Sequence, residues 1–182
     1  SFSWEDLSAR YQAELANGFG NLASRTVAMI SKYFEGVVPA PAAYTESDLT
    51  IQKIVADAAT TADAAIERFR TDEAIAAIWT IVDALNGYIT ENEPWALAKD
   101  VSTRERLGTV LYTAAEGLRA LAVLLSPVMP ESTSKLWVAL GAADGLGALV
   151  AQPIRQAGAW GLLPAGATVT SLTPLFPRVE QA

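Results

Sequence analysis

The chain has 182 residues, 51% of them hydrophobic and 18% charged, with a formal net charge of −7 and neither cysteine nor histidine. That suits one domain of ordinary size, or one with an appendage, and excludes a chain disordered throughout, a disulfide framework and a zinc site built from Cys or His. It also excludes any reaction that uses histidine as general base or triad member, and the acidic balance argues against a non-specific nucleic-acid binder.

Taken in chain order, the pattern is helical. A first helix is predicted from Trp4 or Glu5 to Phe34, with Leu15, Phe19, Leu22, Thr26, Met29 and Tyr33 on one face. Gly36 is its stop, and Val37 to Ala43, with two prolines, is a loop. A second helix reads from Ser47, as N-cap, to Phe69, burying Ile51, Ile54, Val55, Ala58, Ala62, Ala65, Ile66 and Phe69. A third begins with Thr71 as N-cap and carries Ile75, Ile78, Trp79, Val82, Leu85 and Ile89. It stops before Pro94, which disfavours helix in the preceding residue and suits the first turn of a short helix to Lys99. A fourth long helix spans Thr103 to Leu125 and a fifth Glu131 to Leu140, with Leu136 and Trp137 buried. After Gly141, glycines, prolines and short apolar runs replace the periodicity. The expectation is an all-α bundle over 1–140 with an irregular C-terminal tail over 141–182. No membrane span is expected, since Ala120 to Met129 falls far short of the roughly 20 residues required. Ser1 opens the chain with no charged leader or signal segment, and the missing initiator Met reads as excision from a longer protein.

Two stretches carry chemistry. Asn17, Asn21 and Arg25 are four apart and line one helix face, offering amide groups and a guanidinium fork suited to the polar edge of a base. On spacing alone a solvated face with an intrahelical hydrogen bond is the simpler account. Asn86 through Pro94-Trp95 to Lys99 can hold an indole at a helix start, a stacking platform for an unpaired base. A core tryptophan under a loop explains the same residues. Leu125 to Trp137 is a helix break and restart. No phosphate-binding loop, nucleophile elbow or dinucleotide fingerprint is present.

Together these stretches resemble the methionyl-tRNA synthetase family. Asn21-Leu22-Ala23-Ser24-Arg25 is similar to its anticodon-helix motif, and Asn86 through Pro94-Trp95 to Lys99 to its second anticodon motif. Leu125-Ser126-Pro127-Val128-Met129-Pro130 resembles the break found in class I anticodon domains. Trp160 to Gly166 and Pro174 to Glu180 resemble the C-terminal end of short bacterial forms. The resemblance implies the anticodon-binding helical bundle of class I aminoacyl-tRNA synthetases, within a cytoplasmic, monomeric enzyme that ligates methionine to its tRNA using ATP and Mg. The His-Ile-Gly-His and Lys-Met-Ser-Lys type motifs are absent, so no catalytic residue, cofactor or metal site is expected in this chain. The partners implied are the CAU anticodon loop of methionine tRNA and the catalytic domain of the same enzyme, toward which the tail would return with its apolar residues. Asn21 and Arg25 would bond the wobble cytosine, Trp95 would stack on an anticodon base, and Asn86 and Pro94 would shape the site. Lys32, Lys99, Arg104 and Arg106 are candidate phosphate contacts. The alternatives are the anticodon domain of another class I synthetase, or a helical protein-interaction module using Asn21, Arg25 and Trp95 as a hot spot.

Overall fold

The computed structural model describes Ala9 and residues 11–177, with side chains from Glu14 onward besides Ala9. The predicted helix start at Trp4 or Glu5 and the motif residues Arg178, Val179 and Glu180 lie outside the described residues. Tyr11–Gly20 is wound as a π-helix and runs directly into α1 (Asn21–Phe34). Then follow α2 (Glu46–Glu67), α3 (Thr71–Asn92), α4 (Pro94–Leu97), α5 (Arg104–Leu125), α6 (Pro130–Ala139) and α7 (Ala142–Leu146). Short 3-10 turns occupy Val101–Thr103, Leu149–Ala151 and Ile154–Gln156. The expected all-α bundle is the observed fold.

Local chemistry sets the helix ends. Glu35, at a φ of 54°, and Gly36, at 79°, end α1 in the left-handed region, where glycine is favoured. The N-cap of α2 is Thr45 rather than Ser47, because the Asp48 carboxylate reaches back to accept the Thr45 N–H at 2.7 Å. Thr71 is the first helical residue of α3, following Arg70 as the cap. Pro94 begins α4, at the one position where its missing N–H costs nothing.

The buried face of α1 runs through Leu22, Ala23, Thr26, Val27 and Ile30. The predicted stripe is displaced by one residue toward its C-terminal end, leaving Met29 and Tyr33 half-buried at the margin. Leu22→Ala should therefore destabilise by about 2–5 kcal/mol, as buried large-to-small changes do, and Met29→Ala by clearly less. Urea unfolding of the two variants checks this; an equal loss at both would contradict the facing. Ile66 and Phe69, predicted as buried, are instead exposed, and so is Ile75 at the start of α3. They sit where α2 turns into α3, beyond the reach of the central helix.

That central helix is α5, in which every residue from Leu107 to Leu125 is buried. Val101–Leu125 is long and apolar enough to cross a membrane, contrary to the sequence-based expectation, yet its most apolar 18 residues are entirely buried inside the bundle. At Gly117 a Cβ would lie 2.6 Å from Leu85 Cδ1, so the missing side chain is what lets α3 pack onto α5.

The tail packs on the bundle. Its backbone pairs with the α1–α2 loop through Val38 N–H to Ala167 O, Gly166 N–H to Val38 O and Val169 N–H to Gly36 O, each 2.8 Å. Leu163, Val169 and Leu175 are buried within this chain, whereas the sequence-based expectation left the tail's apolar residues for an interface with another domain. Two fully buried charged residues of α5 hold the tail. Glu116 accepts the N–H groups of Gly161, Leu162 and Leu163 at 2.9–3.0 Å. Arg119 donates to Glu116 at 2.9 Å and to the carbonyls of Ala157 and Ala159 at 3.0 and 2.9 Å.

Candidate nucleic-acid interface

Three elements, the π-helix, α1 and α4, assemble the surface that carries the exposed motif residues. Asn17, Asn21 and Arg25 are all exposed on the outer face of the first helical rod, opposite its buried stripe. Trp95 stands at the start of α4, still 39% exposed, above the buried Pro94. The Arg25 guanidinium carbon lies 5.8 Å from the centroid of the Trp95 ring, within cation–π range. Two motifs 70 residues apart thus meet at one spot. Asn86 is not on that surface. Its amide donates to Val82 O at 3.1 Å and across to Gly18 O at 3.3 Å, joining α3 to the turn before Asn21.

Beneath Trp95 lies a polar network that sequence reasoning missed. Asp48 is fully buried and receives both Arg106 nitrogens, at 2.6 and 3.0 Å, together with the Tyr88 hydroxyl. Arg106 also donates to Asn92 Oδ1 at 2.7 Å, at the last turn of α3. Asn92 precedes Glu93, whose left-handed φ of 44° swings the chain into Pro94 and Trp95. The indole is therefore presented by a turn braced from the core. Thr45 followed three residues later by Asp48 is a capping-box pattern, and was the readable signal.

Burial pushes the Asp48 carboxyl up, but the hydrogen bonds from Arg106, Tyr88 and the Thr45 N–H outweigh it and hold its pKa below the ordinary 3.8. A carboxyl harder to protonate when folded contributes stability that is complete above the unfolded value and lost as pH falls through the lower folded one. The Tm gap between the parent chain and Asp48→Asn should stay constant down to about pH 4 and narrow below it. A gap that persists unchanged at pH 2 would assign the loss to shape rather than charge.

A family model described as the anticodon-binding domain of tRNA ligase matches residues 48–158. The chain belongs to this family of anticodon-binding domains. Over its whole length, the likeness of this domain is to methionyl-tRNA synthetases. Methionine–tRNA ligase of Streptomyces coelicolor is 53% identical over 184 residues, covering 100% of this chain and 34% of the ligase. The ligase of Caldanaerobacter subterraneus is 40% identical, over 98% of this chain and 27% of its own. The apo crystal structure of Mycobacterium tuberculosis methionyl-tRNA synthetase has a TM-score of 0.90 at 29% identity, over 100% of this chain and 36% of that one. The chain spans about a third of the length of such relatives, as the reading of it as part of a ligase requires.

Of the four candidate phosphate contacts, Arg106 is committed to Asp48 and Asn92. Arg104 is also occupied, lying 4.4 Å over the Phe34 ring and donating to Tyr33 O at 3.2 Å. Lys32 sits 5.3 Å from the Tyr33 ring, and Lys99 is exposed. In the glycine-containing segment after α6, a Cβ on Gly141 would lie 2.4 Å from Thr168 O and one on Gly145 2.5 Å from Pro164, so both glycines serve close packing of the tail rather than a phosphate cradle.

Proposed function

We propose that this chain reads the CAU anticodon of methionine tRNA, as the helical part of a methionyl-tRNA synthetase. The observation that supports it is the exposed Arg25–Trp95 pair with Asn21 one turn away on the same face. Unpaired RNA loops are recognised by stacking on aromatic rings and by hydrogen bonds to base edges. Trp95 supplies the ring. Arg25 supplies donors, and Asn21 a donor and an acceptor, for the edge of the wobble cytosine. Pro94 and Asn86 keep those groups in place. The net charge of −7 matches a domain that makes a few base contacts while the rest of the tRNA is held elsewhere. Methionine activation, with ATP and Mg, falls to a catalytic domain outside this chain, in a cytoplasmic, monomeric enzyme.

The test is NMR titration of the chain with a CAU anticodon stem-loop and with the same loop changed at the wobble cytosine. Shifts at Asn21, Arg25 and Trp95 are expected for CAU alone. Arg25→Gln should chiefly narrow the difference between the two loops. Identical shifts with both loops, or an equal loss for every anticodon in Arg25→Gln, would defeat the assignment.

A further inference from the structure

Where the first helical rod turns from π- to α-winding, the tail crosses it. Asn17, Asn21 and Ser24 form one wall of an open cleft of about 540 Å³, and Pro174, Phe176 and Pro177 of the tail form the other. Clefts that take small ligands run from about 300 to 1,000 Å³. The tail wall is anchored. The Phe176 ring lies 6.1 Å from that of the buried Phe19, which in turn meets Trp79 at 6.4 Å. A Cβ on Gly20 would stand 3.1 Å from the Phe176 ring, so glycine at the floor lets the tail approach this closely.

We infer that this cleft binds a second unpaired nucleotide of the same anticodon loop, beside the one on Trp95, so that the C-terminal tail is part of the RNA-binding site. The inference rests on the anticodon reading above and extends it. Three observations carry it. The cleft is continuous with the proposed surface, because Asn21 belongs to both its wall and the row that leads to Arg25. One α-helical turn separates those two residues, about 6 Å along the axis. That exceeds the ~3.4 Å between stacked bases and suits nucleotides pulled apart. The lining also matches a nucleobase, with two amides and a hydroxyl for a polar edge on one side and proline and phenyl surfaces for the ring on the other. Finally, among the described residues no acidic side chain lines the cleft, on a chain of net charge −7. The cleft of about 510 Å³ between α2 and α3 carries Glu46 and Glu91, and would repel a phosphate.

The experiment uses the full chain and the CAU stem-loop. Pro174→Asp and Pro177→Asp alter exposed cleft positions, and each should weaken binding by about fivefold, the size of one like-charge contact near water, with Tm unchanged. Independently, stem-loops with a photoreactive base at the second or the third anticodon position are irradiated on the unsubstituted chain. At least one should crosslink to the peptide containing 174–177, a result that does not depend on how the variants fold. Unchanged affinity in both variants, or no crosslink from either position, while Trp95→Ala loses binding, overturns the tail's role and leaves the anticodon reading standing. If Trp95→Ala also binds as before, the underlying reading fails and this inference with it.

Discussion

Replacing Trp95 with alanine should weaken binding of the CAU stem-loop by about 1–3 kcal/mol, roughly 5- to 150-fold, the range for one base stacked on an aromatic ring. The effect should exceed that of any other exposed substitution, because two functions end together. The base loses its platform and Arg25 loses the ring that orients its guanidinium. The fold should hardly notice. The indole is 39% exposed, while Pro94 beneath it is buried and unaltered. Stem-loop titration and thermal melting of the same variant separate the two quantities. A large fall in Tm with affinity unchanged would make Trp95 a packing residue and remove it from the site.

Glu116→Ala should cost about 3–5 kcal/mol of stability, the usual penalty for breaking a buried ion pair from one side. The change strands the Arg119 guanidinium, which is 2% exposed, and deprives three backbone N–H groups of their acceptor. Against a typical total of about 5–15 kcal/mol, that is a large share. The double variant Glu116→Leu, Arg119→Leu should recover part of the loss, since apolar residues can replace a buried pair once both charges are gone. Urea midpoints for the single and double variants provide the check, with amide exchange at Gly161, Leu162 and Leu163 reporting release of the tail. An unshifted midpoint in Glu116→Ala would show that the tail is held by its apolar contacts alone.

Helices were legible from the sequence where burial follows a strict period, as in α3 from Ile78 to Ile89. Legibility failed at Phe69 and Ile75, whose spacing fits the stripe but whose position at a turn leaves nothing to pack against. The caps of α2 and α3 were misplaced by one or two residues because Thr45, Ser47 and Thr71 are chemically equivalent choices until a partner such as Asp48 selects one. For the surface residues, the spacing of Asn17, Asn21 and Arg25 placed them on one face, but nothing within either motif says that Arg25 meets Trp95. That required the bundle, or the family resemblance that stood in for it. Arg106 looked like a phosphate contact because an arginine near a helix start usually faces solvent, and its carboxylate partner is 58 residues away in sequence. Glu116 and Arg119 could have been noticed. Charges three apart within the long, otherwise uncharged run from Leu107 to Leu125, both inside the stripe, must find partners or unfold it. The partners themselves are backbone groups of an irregular segment, which no side-chain pattern announces.

The tail's contacts also set an order of events. Ala157, Ala159 and Gly161 to Leu163 close on α5, Ala167 closes on Val38, and Phe176 closes on Phe19. All of these reach back to residues made earlier. At the ~5–20 residues per second of synthesis, some 40 residues take roughly 2–8 s. For that interval α5, the most apolar helix, carries a carboxylate and a guanidinium whose backbone partners have not yet been polymerised. The first helical rod waits longer still, because it precedes α5 and its partner Phe176 follows the other tail contacts in sequence. A ribosome that stalls short of the tail would therefore hold a bundle with its central helix uncovered, and synthesis of the tail, rather than formation of any one helix, is the step that commits the bundle to the folded state.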